Sequence, residues 1–77
     1  MTTEQFYRNL EEILEVDSGS ITGAEQLNGL NGWDSLAILG FIAFADSKLG
    51  IAIPVKDLVE CTTVQDLRRL LGEKIAD

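Results

Sequence analysis

With 77 residues, 45% of them hydrophobic and 25% charged, the chain holds enough apolar side chain for one small core. That length excludes a separate substrate-binding domain, and the composition excludes the low-hydrophobicity signature of disorder. Thirteen Asp and Glu against six Lys and Arg leave a formal charge of -7, so phosphate backbones and anionic lipid surfaces repel it: no nucleic-acid partner is expected, and basic protein surfaces are its complement.

Phe6, Leu10, Ile13 and Leu14 recur at helical spacing and predict a first helix from Thr3 to about Val16. A Thr2–Gln5 capping box opens it, and Glu11, Glu12 and Glu15 are expected on the side away from the apolar stripe. The stretch Asp17 to Trp33, DSGSITGAEQLNGLNGW, is rich in glycine and has two Asn-Gly pairs, so it reads as a long loop. Ile21, Leu27 and Leu30 recur within it and pin it to the core; loops of this length are often functional. From Asp34 the pattern is helical again to about Leu49, with Gly50 as the stop.

Leu36 to Ala45, counting Gly40, is the longest uninterrupted apolar run and is too short to span a bilayer, so no transmembrane segment is expected. The N-terminus shows neither a basic nor an apolar signal region, and the single cysteine, Cys61, has no disulfide partner. A cytoplasmic location follows as the expectation. Ile53-Pro54 favours extended backbone, and Val55 to Leu58 allows a short helix. Thr62 with Gln65 suggests a second capping box, opening a helix in which Val64, Leu67, Leu71 and Ile75 share a face. Strand-like alternation is confined to GIAIPV. The expected fold is all-α, a small four-helix bundle of three main helices and one short one, forming a single domain over residues 1–77.

The Asp34-Ser35 junction poses the functional question. A nucleophilic serine needs a base, yet the chain has no histidine, GWDSLA lacks the G-x-S-x-G spacing, and Lys48, Lys56 and Lys74 have no activating context. The protein is therefore not expected to be an enzyme. Asp34 suits the cap of the second helix and Ser35 its first turn. The same geometry exposes a hydroxyl where free N–H groups and the helix dipole favour an attached phosphate, so Ser35 is a good anchor for a phosphodiester.

GWDSLA resembles the G-x-D-S-L motif of acyl carrier proteins and of the related carrier domains of polyketide and peptide synthesis. KLGIAIP is similar to the family's F-G-I-x-I-P, and TTVQDL to its T-V-x-D-L, so the resemblance spans nearly the whole chain. It implies a non-catalytic carrier of acyl-carrier-protein type, in which a phosphopantetheinyl transferase attaches 4'-phosphopantetheine from coenzyme A to Ser35, with Asp34 and Leu36 helping the transferase recognise the site. Further partners implied are acyl-loading, synthase or acyltransferase enzymes, acting on a monomer. An aminoacyl or peptidyl carrier is the alternative within carriers, although Asp34 before the serine leans towards acyl. An unmodified helical interaction module is the alternative outside them, and replacing Ser35 separates it from both carrier readings.

Stepping about 100° per residue from Ile38 as the centre of the second helix's buried face places Phe41, Ile42, Ala45 and Leu49 beside it. By the resemblance, Ile38, Phe41, Ile42 and Ala45 form the core that shelters an acyl chain. The opposite side holds Leu36, Gly40, Ala43 and Ser47, flanked by Leu39 and Phe44. Leu39, Ala43 and Phe44 are candidates for an apolar partner surface, or else they pack under the loop or the short helix. Asp34 and Asp46 are the only acids on this helix, in contrast to the acidic stripe of the familiar fatty-acid carriers. The expectation is a specialised lipid or secondary-metabolite pathway, with partners chosen by shape and apolar contact. Asp57 and Glu60 are candidates for basic partner residues because, by the resemblance, the short helix lies near the cargo entrance. Trp33 is expected to pack the loop's end onto the second helix, and Cys61 to be buried as a small hydrophobe. No metal site is expected, since Cys/His ligation is excluded by count and no calcium-loop spacing occurs.

Overall fold

The computed structural model describes residues 1–76. Four α-helices succeed one another in it: α1 (Thr3–Leu14), α2 (Ser35–Leu49), α3 (Val55–Val59) and α4 (Val64–Leu71), with short 3-10 turns at Leu27–Gly29 and Gly72–Lys74. This is the small all-α bundle expected, and no strand forms among the described residues.

Capping chemistry sets where α1 begins. The Thr2 hydroxyl accepts from Gln5 N at 3.1 Å while Gln5 Oε1 accepts from Thr2 N at 2.9 Å, so two helix-end donors are satisfied reciprocally. Glu15 turns left-handed at φ 57° and stops the helix before Val16, whose N–H reaches back to Glu11 O at 3.0 Å.

The acidic side of α1 needs a correction. Glu12 and Glu15 are exposed as expected, but Glu11 is buried at 2% exposure. Its Oε2 accepts from Gly19 N at 3.0 Å and Ile21 N at 2.9 Å, and its Oε1 lies 3.1 Å from Arg8 Nε, an ion pair without hydrogen-bond alignment. Arg8 Nη2 in turn donates to Ile21 O at 3.3 Å. A loop laid against a core must find partners for its backbone groups, and here α1 supplies them.

At its far side the same loop is held by α4's entry. Gln26 and Thr63 form an isolated antiparallel bridge, with Leu27 N donating to Thr62 O at 2.9 Å and Val64 N to Glu25 O at 3.1 Å. Ile21 and Leu27 are buried beneath it and Leu30 is half-buried. The cap of α4 is Thr63 with Asp66, one residue along from the expected Thr62–Gln65 box. Asp66 Oδ2 accepts from Thr62 N at 2.9 Å and Thr63 N at 3.1 Å. Thr62 is committed through its carbonyl to the bridge, and Gln65 Nε2 donates instead to Tyr7 Oη at 3.2 Å. Gly72 ends α4, yet Ile75 stays on the buried face because the turn at Gly72–Lys74 carries it there.

Two carboxylates, Glu25 in the loop and Asp66 in the first turn of α4, make the fold acid-sensitive. Burial raises the Glu25 pKa, but hydrogen bonds from Thr22 N, its hydroxyl and Gly23 N outweigh this and hold the group below its ordinary value. For Asp66 the N–H groups of Thr62 and Thr63 are the leading cause of the same lowering. A carboxylate whose folded pKa is depressed contributes stability that is present above its unfolded pKa and lost as pH falls through the folded one. In thermal melts, acidification from about pH 6 to about pH 3 is expected to destabilise the parent more than a Glu25→Gln, Asp66→Asn double variant, the difference opening below about pH 4.

The α2 register differs from the expectation as well. Its buried residues are Ala37, Phe41, Phe44 and Ala45, whereas Ile38, Ile42 and Leu49 are half-buried. The inward direction is therefore rotated by about 75° from an Ile38-centred face. Phe44, a candidate either for the outer partner surface or for packing inside, is 8% exposed and lies 5.8 Å from Phe41 between ring centroids, so the partner-surface reading fails for it. Gly40 is not on the outer face either: a Cβ there would stand 3.4 Å from Ile13 Cγ2 of α1. Apolar residues surround α2 on nearly every side, so periodicity gives it no direction, and packing against α1 decides.

Candidate functional site at the start of helix α2

Backbone geometry delivers the Asp34-Ser35 pair. Gly32 has φ +90°, and a Cβ at this position would lie 2.9 Å from the backbone oxygen of Leu14, which has no freedom to move aside. Both the left-handed turn and the close approach to α1's end require glycine here. Gly32→Ala is expected to lower stability by about 1–3 kcal/mol, as read by the urea midpoint.

Beyond this turn, Asp34 N donates to Gly32 O at 3.0 Å and Asp34 takes the extended conformation of a cap. Its Oδ1 accepts from Ala37 N at 3.0 Å, and its carbonyl accepts from Ile38 N at 2.9 Å. Ser35 is the first residue of the 15-residue α2, with an exposed side chain. The N–H groups of Ser35 and Leu36 have no partner among the described residues. An exposed hydroxyl thus stands at the positive end of a helix beside two free donors, the arrangement that suits a phosphate ester. Asp34 is engaged as a cap rather than as a base, so nothing in this pair activates the hydroxyl as a nucleophile.

A cavity of about 300 Å³ adjoins this end of α2, lined by Leu27, Asn28, Trp33, Ile38, Val59, Cys61 and Thr62. Ile38 is three residues after Ser35, hence on the same helix face. Trp33 packs the loop's end on α2, its ring edge-on to Phe41 with centroids 6.4 Å apart. It also lines the cavity, a role that sequence reasoning missed. Residues of the loop, α2, α3 and the α3–α4 connection meet there, and no local spacing signals such a meeting.

The other expected site residues are dispersed. Leu36 is 78% and Leu39 59% exposed, Ala43 is exposed beside them, and Val55 and Val59 of α3 are the other large exposed apolar residues. Phe41 and Ala45 are buried in the core and Ile42 is half-buried, so of the four expected cargo-core residues only Ile38 reaches the cavity. Asp57 is half-buried and Glu60 exposed, and both border a second cleft of about 370 Å³ with Cys61, Asp66, Arg69 and Leu70. Arg69 Nη1 pairs with Asp66 Oδ1 there at 2.9 Å. The half-buried Cys61 thiol donates to Asp57 O at 3.3 Å. Burial first, then the carboxylates of Asp66, Asp57 and Glu60, push its pKa up, which keeps it a protonated, unreactive thiol at neutral pH. No helix among the described residues is long and apolar enough to cross a membrane.

Compared with known proteins, residues 4–71 match a family model described as the phosphopantetheine attachment site. No curated protein and no solved structure matches the chain.

Proposed function

Because the chain belongs to the phosphopantetheine attachment-site family, whose domains carry covalently attached 4'-phosphopantetheine and are not themselves catalysts, we propose that Ser35 is the attachment residue and that the protein is an acyl carrier. When bound, the group supplies a thiol on a flexible arm, which holds acyl intermediates as thioesters.

The observation that carries this reading is the exposed Ser35 hydroxyl at the start of α2, next to the unpartnered N–H groups of Ser35 and Leu36. Ser35 Oγ provides the ester oxygen, and the two donors with the helix dipole favour the phosphate charge. Asp34 holds the first turn in this geometry through Ala37 N. Asp34 and Leu36, both exposed, are positions that a phosphopantetheinyl transferase reads. The enzymes that load and unload cargo meet the exposed apolar strip of Leu36, Leu39 and Ala43 on α2, with Asp57 and Glu60 receiving basic residues at its margin. Phe44 drops out of that surface because it is buried. Such a strip, carrying few acids, fits partners of a specialised lipid or secondary-metabolite pathway.

The test is intact-protein mass spectrometry after incubation with coenzyme A and a broad-specificity transferase, followed by peptide mapping. A mass gain of one phosphopantetheine on the Ser35 peptide is the expected result; a folded protein that gains none contradicts the proposal.

A further inference from the structure

We infer that Asn31 is a site of spontaneous modification, in which Gly32 N closes a succinimide ring on the Asn31 side chain, and that the isoaspartyl product spoils the turn presenting Ser35. The second half rests on Ser35 being the attachment residue.

The chain has three asparagines, and the structure ranks them. Asn9 lies within α1, its Nδ2 donating to Gln5 O at 2.7 Å, and a leucine follows it. Asn28 precedes a glycine but sits inside the 3-10 turn Leu27–Gly29, where Gly29 N donates to Gln26 O at 3.0 Å. The attacking nitrogen is occupied there and its backbone is fixed. Asn31 and Gly32 lie exposed in the next turn, and Gly32 N has no hydrogen-bond partner among the described residues. Glycine sets no Cβ beside the nitrogen, and the exposed turn leaves the Asn31 side chain free to fold back onto it. Both Asn-Gly pairs follow a leucine, so in the unfolded chain they are chemically alike and only the fold separates them.

The reaction needs water alone. Gly32 N bonds to Asn31 Cγ, the Cγ–Nδ2 bond breaks, and ammonia leaves with the proton that Gly32 N gives up. Water then opens the ring. Attack at Cγ yields an ordinary aspartyl link, whereas attack at the backbone carbonyl carbon yields an isoaspartyl link, in which the chain runs through the side-chain methylene. Each product carries the same new carboxylate, so only the second alters the backbone.

Lengthening matters because this turn has no slack. Trp33 N donates to Leu30 O at 3.4 Å across the link, and Asp34 N donates to Gly32 O at 3.0 Å. On the other side a Cβ at Gly32 would stand 2.9 Å from Leu14 O, so an inserted methylene is not absorbed by moving Gly32 towards α1. The displacement passes instead to Trp33 and to Asp34, whose Oδ1 caps α2 through Ala37 N. The Asn31-Gly32 pair is therefore a mark of age written into the turn on which Ser35 depends.

The experiment ages the folded full chain in mildly alkaline buffer without coenzyme A. Products are located by peptide fragmentation and by labelling with a protein-isoaspartate methyltransferase, which reads the free α-carboxylate. Ammonia release with isoaspartate at position 31 is expected, about fivefold faster than at position 28 while the fold persists, and at equal rates in urea. Asn31→Gln should suppress it. An unaltered Asn31, or a position 28 that reacts as fast in the folded chain, would overturn the inference. The aspartyl and isoaspartyl forms, alike in charge, are then separated chromatographically and compared. The isoaspartyl form should exchange the Ala37 N–H about fivefold faster and take up phosphopantetheine more slowly, while the aspartyl form matches fresh protein. Equal exchange and uptake in the two forms would overturn the consequence drawn for Ser35. If fresh protein takes up none, the carrier reading fails, and exchange at Ala37 still decides whether the turn is spoiled.

Discussion

The Ser35→Ala variant is expected to take up no phosphopantetheine while its stability stays within about 0.5 kcal/mol of the parent. The serine is exposed and its hydroxyl makes no hydrogen bond among the described residues, and alanine is a good helix former at the first position of α2. Loss of modification therefore cannot be a folding effect. Asp34→Ala is the complementary case: it keeps the hydroxyl but removes the acceptor of Ala37 N, costing about 1 kcal/mol of helix capping. Its modification should be slowed, not abolished. Mass spectrometry read beside urea unfolding of both variants separates the chemical role of one residue from the structural role of its neighbour. A modified Ser35→Ala protein would move the attachment site elsewhere in the chain.

Glu11→Ala is expected to bring the largest loss of stability, about 3 kcal/mol, measured by urea unfolding followed by circular dichroism. The substitution leaves the N–H groups of Gly19 and Ile21 without their acceptor and Arg8 beside an empty, buried position. Glu11→Gln keeps an acceptor oxygen and should lose distinctly less. For a domain whose whole stability is of the order of 5–10 kcal/mol, the alanine change is severe. It also acts at a distance. The loop that Glu11 holds leads to Gly32 and Trp33, so hydrogen exchange at Gly19 and Ile21 should speed up, and phosphopantetheine uptake should fall as the turn before Ser35 loosens. A variant of unchanged stability would mean that the loop is held by its buried Ile21 and Leu27 alone.

The residues that announced themselves in the sequence were those whose chemistry is local. Thr2 with Gln5, Asp34 ahead of Ser35, and Gly50 after Leu49 mark helix ends because a cap is satisfied within a few residues, and the structure places each where expected. Thr63 was missed for Thr62 by one position, because the tie between Thr62 and Leu27 joins segments far apart in the chain. Glu11 lies one step beyond the Leu10 stripe, with Arg8 a turn behind it. That pairing was the available signal, yet only the approach of Gly19 and Ile21 makes the position an interior one. For α2 the obstacle was the opposite kind: with apolar side chains on every side, Phe44 and Leu39 look alike until the assembled bundle buries the one and leaves the other exposed. The cavity had no sequence signature at all, being assembled from four separate stretches.

Trp33 is the chain's single tryptophan, and it sits edge-on to Phe41 while lining the cavity next to Ser35. The protein thereby carries its own fluorophore beside the proposed attachment residue, with no second indole to dilute the signal. Emission from this ring answers to the wetness of the cavity, so filling it shifts the colour to the blue and emptying it reverses the change. Loading, transfer and release are then events that an ordinary fluorimeter follows in real time, on an unlabelled molecule.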